Sequence, residues 1–592
     1  MSTRSFEPPP SPKESGPIFG LRCSRRVLRT SRPSPSLGAR GRTLLVLAGL
    51  ALLAFALRAY RLDYQSLWRD EVDAVVFATR DLGAILATFT QVGENGPLFF
   101  LGLHVWIGLV GQSEFAIRFP SVIFGVLAVL TTYRLGRELI GREVALIAAL
   151  LMAVSPYHIW YGQEAKMYAL ISFLAPLSLL LVVRAMRGGP RWLWLAWAVL
   201  MAAFLYVHLF ATMMVLVAAT WIPLLLRSRP RVTPALAVSL VIIALAMLPV
   251  LSWLVPAALA PVETGYYRYS LGQMAAILLS NFSMGLRPAA GLWPAIVFAV
   301  LLVGGMTPLG LQIKTSEVLE TSEVSVERAR AVLLLVLYLC APLLAIWLVS
   351  LRRPTFTDRY LIISLPAFYL LIARGICLVR QVIATTRGSP ARAASKGAAQ
   401  PAMTARRRRI AATRAGKAYD DSGTGVEPAP MAEQAEAKLS ANAPVATVAG
   451  GGRWLTIGMV SLVVLVSLPF AWAQTHNPYK ADFRAATRYV VERAAPEDLI
   501  IFLMPYVQRS FAYYHPQPVR AVEPPYTRDM SQAEVDAKMR RIAAGSRKVW
   551  LFLSEAEFWD PQGLIPAWLE RSGVRRCQQE FAYIEVRCYE MR

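Results

Sequence analysis

The sequence LLVLAGLALLAFALRAYRLDYQSLWRDEVDAV, residues 44–75, joins a continuous apolar run to a dense acidic cluster. The apolar part, within residues 43–59, approaches the length of about 20 residues that crosses a bilayer. Asp70, Glu71 and Asp73 follow it closely. This junction indicates a membrane protein whose first external loop carries ionisable groups.

The chain as a whole has the composition of an integral membrane protein. Of its 592 residues, 55% are hydrophobic and 17% are charged, whereas about 25% are charged in soluble domains. We therefore predict an all-α polytopic membrane protein with about 11 transmembrane helices. The predicted spans are residues 43–59, 119–137, 143–159, 168–186, 192–210, 211–226, 233–256, 291–309, 331–350, 360–379 and 454–473. The apolar run 97–111 is too short for a span and is predicted to be re-entrant or interfacial.

Positive charge predicts the orientation of these spans. Cytoplasmic loops are enriched in Lys and Arg, and arginines follow every second span if the N-terminus is cytoplasmic. The net charge of +24 lies largely in two tracts, 1–42 and 381–418, each with nine Lys or Arg residues. No aromatic residues interleave the arginines at 406–409, so cytoplasmic segments are favoured over nucleic-acid binding.

The composition divides the chain into five parts, the last of them a small extracytoplasmic α/β domain. That domain is predicted from an amphipathic helix at 481–494 and strand-like runs at 498–504, 548–553 and 581–588. Cys577 and Cys588 could form a disulfide there, and two unpaired thiols are the alternative. The predicted parts are a basic disordered cytoplasmic N-terminus (1–42), a transmembrane catalytic module (43–380), a disordered basic cytoplasmic linker (381–452), a last transmembrane helix (453–474) and the extracytoplasmic domain (475–592).

Three external segments carry candidate functional residues. Asp70 is predicted either to cap a short surface helix or to act in catalysis, and capping leaves its neighbour Glu71 unexplained. In the turn after span three, Glu164 and Lys166 are surrounded by aromatic residues, which is also typical of an interfacial aromatic belt. The third segment holds arginines on the outer side, against the charge rule: Arg352, Arg353 and Arg359. Arginines can snorkel to lipid headgroups, but three together favour a bound phosphate.

In their order and spacing these segments resemble the GT-C superfamily of polyprenyl-phosphate-dependent glycosyltransferases. The branch is that of the protein O-mannosyltransferases and the bacterial aminoarabinose transferases. The resemblance covers residues 43 to about 380 and returns weakly at 479–515. The motifs that carry it are RLDYQSLWRDE (61–71), GPLFFLGLHVWIGLVGQSEFAIRFPSVIFGVLAV (96–129), GREVALIAALLMAVSPYHIWYGQEAKMYAL (141–170), YVHLF (206–210) and DRYLIISLPAFYLLIARG (358–375).

The resemblance implies roles for these residues. The acidic pair of the first external loop matches Asp70, the expected base, and Glu71, while the acid of the second loop matches Glu164. Substrate contacts are expected for Lys166 and Tyr168 of the aromatic turn, and for Arg359 and Tyr360 beside the lipid phosphate. His208 in YVHLF is either a structural histidine or a substrate contact. One departure is that Asn95-Gly96-Pro97 stands where relatives usually have Pro-Pro after a basic residue, and Glu94 is a doubtful substitute for that phosphate contact.

The resulting hypothesis is a glycosyltransferase of the cell inner (plasma) membrane. It would move a sugar from a polyprenyl-phosphate carrier to a glycan, lipid or protein acceptor on the outer face, with inversion and with Asp70 as base. The external tail is expected to fold over the site and help to choose the acceptor. No obligatory cofactor is predicted, although the acidic pair could hold a divalent cation, as in oligosaccharyl transferase relatives. The alternative is a transporter or flippase of lipid-linked sugars, which predicts ionisable groups at mid-membrane depth.

Overall fold

The computed structural model describes residues 37–90, 96–226, 233–259, 267–286, 293–307, 322–387 and 448–592. Most of the predicted N-terminal segment and of the predicted linker 381–452 lies outside these residues, as do Glu94 and Asn95. The described chain consists of a large helical part followed by a mixed α/β domain. The predicted fold class is confirmed.

Sixteen α-helices precede the C-terminal domain in the described residues. By length and composition, seven of the described helices can cross a membrane, or eight if the bent pair α6–α7 forms one span. Each of the eleven predicted spans falls on one of the helices or on that pair, and the predicted short segment 97–111 is the 14-residue helix α4. The helices are α1 (Leu37–Ala59), α2 (Arg69–Ala78), α3 (Leu82–Ala87), α4 (Pro97–Val110), α5 (Glu114–Leu139), α6 (Arg142–Val154), α7 (Pro156–Gly162), α8 (Tyr168–Met186), α9 (Trp192–Val207), α10 (Thr212–Leu226), α11 (Thr233–Leu259), α12 (Leu271–Met284), α13 (Trp293–Met306), α14 (Ser322–Ser350), α15 (Leu365–Arg387) and α16 (Val448–His476).

The bend between α6 and α7 sets the position of the loop that carries Glu164. The two helices meet at 61°, where Pro156 begins α7 and the Ser155 hydroxyl accepts a hydrogen bond from the His158 amide at 3.2 Å. The break leaves carbonyls at the end of α6 without helical partners. Arg58 of α1 donates to two of them, those of Met152 (3.1 Å) and Ala153 (3.0 Å). The buried guanidinium therefore joins α1 to the broken helix.

Close helix packing surrounds α15, the helix most enclosed by the protein among the candidate spans. A Cβ atom at Gly305 of α13 would collide with the Leu371 carbonyl, and one at Gly375 of α15 would collide with the Leu301 carbonyl. The two backbones touch because these positions lack side chains. This contact holds α15 in line with the 3₁₀ turn Asp358–Ser364 that precedes it and carries Arg359.

The C-terminal domain is a five-stranded sheet with helices on both faces. Its strands lie in the order β2-β1-β3-β5-β4, with β1 parallel to β2 and β3, and β5 antiparallel to β3 and β4. Alternate residues of β1 and β3 enter two separate apolar cores, which explains their continuous hydrophobic runs. The domain contains α17 (Phe483–Val491), β1 (Leu499–Phe502), α18 (Val507–Tyr514), β2 (Ala521–Val522), α19 (Gln532–Ile542), β3 (Lys548–Leu553), α20 (Ala556–Trp559), α21 (Leu564–Ser572), β4 (Gly573–Phe581) and β5 (Ile584–Met591).

Three of these elements match the sequence prediction in type and place, namely α17, β1 and β3. The predicted strand 581–588 overlaps β5 at residues 584–588, while its first residues are the end of β4 and the hairpin turn at 582–583. Cys577 of β4 and Cys588 of β5 lie opposite each other and form a disulfide, so the unpaired alternative is wrong.

Candidate functional site

Glu71 is the centre of a buried charge cluster. Its carboxylate accepts two parallel hydrogen bonds from Arg118 of α5, with Nε–Oε1 at 2.7 Å and Nη2–Oε2 at 2.8 Å. The amide of Ala165 donates to Oε1 at 3.0 Å, and Lys480 Nζ lies 2.8 Å from Oε2. Burial alone would raise the pKa of Glu71, but Arg118 and Lys480 outweigh it and hold that pKa well below its usual range. Glu71 is therefore an ionised structural anchor with its oxygens occupied.

Lys480 connects this cluster to the C-terminal domain. It lies in the segment between α16 and α17, and its backbone amide donates to Gln65 Oε1 at 2.9 Å. Its ammonium group is 3.6 Å from Glu164 Oε1 and stands 5.1 Å from the ring centroid of Trp160. The chain that leaves the last long helix thus places a cation between two buried carboxylates.

Glu164 differs from Glu71 in having no hydrogen-bond donor on either oxygen among the described residues, although its side chain is 1% exposed. Burial raises the pKa of Glu164 to about 7; Glu71 and Asp70 also raise it, whereas Lys480 and Arg359 lower it. A buried carboxyl group with unoccupied lone pairs and a pKa near neutrality is typical of a group that binds or deprotonates a substrate.

Asp70 is paired with Arg359, at 2.8 Å between Oδ2 and Nη1. Both side chains remain about one-fifth exposed, so the pair is open to a ligand. The prediction that Asp70 caps the helix is wrong. Helix α2 begins at Arg69, two residues earlier than a cap at Asp70 requires, and the amide of its N-cap Trp68 donates to Glu71 Oε2 at 3.5 Å. The ion pair therefore directs the Asp70 carboxylate to the 3₁₀ turn Asp358–Ser364 that precedes α15.

Aromatic rings surround the guanidinium of Arg359. The ring centroids of Trp68, Tyr168 and Tyr360 lie 5.7, 5.8 and 5.9 Å from its Cζ atom. This cage limits hydration and directs the cation towards an anion. His208 packs against Tyr360 with ring centroids 5.3 Å apart, and its Nδ1 accepts the Phe210 amide at 3.2 Å, so it supports the cage through a structural contact.

Lys166 is half-buried, and its ammonium group faces the Phe100 ring at 5.6 Å. Burial lowers the pKa of Lys166, while the charges of Asp70 and Asp73 raise it. Arg352 and Arg353 lie in the turn after α14, and Arg352 is exposed. Neither belongs to the described residues that line the central cavity, so of the three outer arginines only Arg359 is brought to it.

A cavity of about 580 Å³ adjoins Arg359, whereas Asp70 and Lys166 are not among the described residues that line it. Its volume is within the range of about 300–1,000 Å³ that is usual for ligand sites. Glu164, Arg359 and Lys480 lie in its wall with the rings of Trp68 and Trp160. Among the described residues, no group of three or more His, Cys, Asp or Glu side chains is arranged to hold a metal ion.

Sequence reasoning overlooked Arg118 and Lys480. Arg118 is a single charge in the apolar stretch FAIRFPSV, and such a residue needs a buried partner, so it could have been noticed. Lys480 gives no comparable signal, because it stands in a polar segment beside Asp482 and Arg484. Asp482 is the N-cap of α17, and Arg484 pairs with Glu114.

The chain is similar to known proteins in part of its sequence and in its fold. Residues 94–253 match the family described as dolichyl-phosphate-mannose-protein mannosyltransferase, and no curated protein gives a significant match. The structure is similar to that of ArnT from Cupriavidus metallidurans in the apo state, with 14% identity over 93% of this chain and 98% of that chain and a TM-score of 0.52. ArnT bound to undecaprenyl phosphate matches with the same identity and coverage and a TM-score of 0.50. The oligosaccharyltransferase AglB from Archaeoglobus fulgidus matches with 11% identity, over 91% of this chain and 73% of that chain, at a TM-score of 0.48. The resemblance to the GT-C superfamily is confirmed in the fold.

Proposed function

We propose that this chain is a membrane glycosyltransferase that uses a polyprenyl-phosphate-linked sugar and acts on the outer face of the membrane. The observation that carries the proposal is the Asp70–Arg359 pair, whose arginine lines the central cavity. It sets a carboxylate that can accept a proton next to a guanidinium that can bind a phosphate. The mannosyltransferase family match and the fold shared with ArnT support the same class of reaction.

In the proposed reaction the donor phosphate binds Arg359 and displaces Asp70 from it. Asp70 then removes the proton of an acceptor hydroxyl or amine as that group attacks the anomeric carbon. The bond from this carbon to the phosphate oxygen breaks, and the electron pair leaves with the lipid phosphate. Arg359, with Lys166 nearby, stabilises the departing charge. Attack opposite the leaving group inverts the anomeric configuration.

The other two carboxylates have supporting roles in this proposal. Glu71 fixes the start of α2, and hence Asp70, through its fork with Arg118. Glu164 can accept a hydrogen bond from the acceptor, since its oxygens are unoccupied among the described residues. The N-terminus is proposed to be cytoplasmic, and the C-terminal domain extracytoplasmic, in the plasma membrane.

The enzyme should form a glycosidic bond from a synthetic short-chain prenyl-phosphate sugar in detergent, and the product should have the inverted anomeric configuration by NMR. Heat-inactivated protein is the control. Movement of the lipid-linked sugar across vesicles without a new bond would instead support the transporter alternative. The ionisable groups among the described lining residues argue against that alternative, because they lie in loops and at helix ends, whereas a transporter is expected to hold such groups at mid-membrane depth.

Because the ionised form of Glu164 is proposed to hold the acceptor, the rising limb of the pH–rate profile should follow the ionisation of Glu164, and replacing Lys480 by Met should move this limb to higher pH by about one unit. The reason is that Lys480 lowers the pKa of Glu164, and without it Glu164 would bind its proton more tightly, while Glu71, Asp70 and Arg359 stay in place. Transfer at pH 7 should fall accordingly. Lys480→Arg keeps the charge and should largely restore the wild-type profile. An unshifted profile in the Met variant would refute the proposed role of Glu164 in transfer.

A further inference from the structure

The C-terminal domain forms the second wall of the central cavity. Opposite Glu164 and Arg359 the lining consists of domain residues: Tyr506, Ser554, Glu555, Glu557, Phe558 and Tyr583. Phe558 and Tyr583 are more than half exposed, although aromatic rings usually bury most of their surface. Of the 19 described residues that line the cavity, eight are aromatic and four are carboxylic acids. This composition suits a ligand with both apolar and hydroxyl-bearing faces.

A second cavity of about 790 Å³ adjoins the first. The two share Arg69 and Tyr506, which face each other with the guanidinium 4.3 Å from the ring centroid. The second cavity is lined by further planar polar groups, including Gln508, Glu523 and Arg509, and by Trp559. A ligand that reaches Glu164 can therefore extend past the Arg69–Tyr506 pair along the C-terminal domain.

We propose that these joined cavities bind the acceptor and that the acceptor is a glycan. This rests on the proposed function and adds the substrate class to it. Carboxylates and amides accept or donate paired hydrogen bonds to neighbouring hydroxyls, and aromatic faces pack against the C–H face of a sugar ring. The terminal sugar would place one hydroxyl at Glu164, whose buried carboxylate has no donor among the described residues.

A peptide acceptor fits this lining less well. Extended peptides are commonly held by main-chain hydrogen bonds to the edge of a sheet. No lining residue of either cavity belongs to a strand of the described domain. The recognition groups are all side chains from loops and helices, so they are suited to hydroxyls rather than to a peptide backbone.

The test uses the purified full-length protein with a prenyl-phosphate sugar donor that it accepts. Oligosaccharides with different non-reducing ends are compared with Ser/Thr peptides as acceptors. Phe558→Ala and Gln508→Ala should each raise the glycan KM by about fivefold to tenfold while the donor KM is unchanged. The matched controls, Val574→Ala and Gln579→Ala, change exposed residues on β4 that line neither cavity and should leave both KM values unchanged.

The outcomes separate this inference from the proposed function. If peptides are glycosylated and glycans are not, or if the two cavity variants behave as their controls do, the glycan site is wrong while the enzyme class stands. If no sugar leaves the donor with any acceptor or with water, the proposed function fails as well.

Discussion

Asp70→Asn should lower kcat for sugar transfer by about a thousandfold, within the range of about 10²–10⁴ that general-base catalysis contributes. Asparagine keeps the shape of the side chain and can still accept a hydrogen bond from Arg359, now 2.8 Å from Asp70. It cannot take the proton of the acceptor. The donor KM should change little, because Arg359 remains to bind the phosphate, so the loss should appear in kcat.

Asp63→Asn provides the matched control, since Asp63 is an exposed carboxylate in the segment that joins α1 to α2. This variant should be as active as the wild type. If Asp70→Asn retains activity within about threefold, the base is another group. Glu164 would then be the first alternative, and Glu164→Gln should show the loss instead.

The long apolar helices could be predicted from the sequence, because a run of about 20 apolar residues is itself the signal for a membrane-spanning helix. The charge cluster could not, because its members are distant in the chain. Arg118 lies 47 residues from Glu71, and Lys480 lies 409 residues from it. Nothing near Glu71 in sequence distinguishes it from Asp73, which is paired with Arg509 on the surface of the C-terminal domain. Only the fold shows that Glu71 is buried and that Asp73 lies at the surface.

One local interpretation failed. Asp70 has the residue type and position of a helix cap, but α2 begins at Arg69, and Asp70 is paired with Arg359 of a distant element.

The role of the external tail in choosing the acceptor stays a prediction. Because Lys480 stands between Glu71 and Glu164, deletion of 475–592 should alter both carboxylates as well as acceptor binding.

Glu71→Gln should destabilise the protein more than any other single change considered, by about 3–5 kcal/mol. Glu71 is fully buried, and the substitution leaves the buried guanidinium of Arg118 without its counter-charge. Arg118 would retain its bonds to the carbonyls of Leu62 (2.9 Å) and Gln65 (2.8 Å), which keep it in place but do not neutralise it. Thermal unfolding of the purified protein in detergent should show the decrease.

The matched control is Glu138→Gln, which removes the same charge from an ion pair with Arg187 at 2.9 Å whose side chains are about one-third exposed. Exposed pairs contribute about 0–1 kcal/mol, so this variant should unfold close to the wild-type temperature. Equal unfolding temperatures for the two variants would show that the Glu71–Arg118 fork is not needed for the fold. A double variant, Glu71→Gln with Arg118→Met, gives a second test of the Glu71–Arg118 ion pair. It removes both charges and should recover part of the lost stability, because the cost of Glu71→Gln arises mainly from the cation it leaves behind.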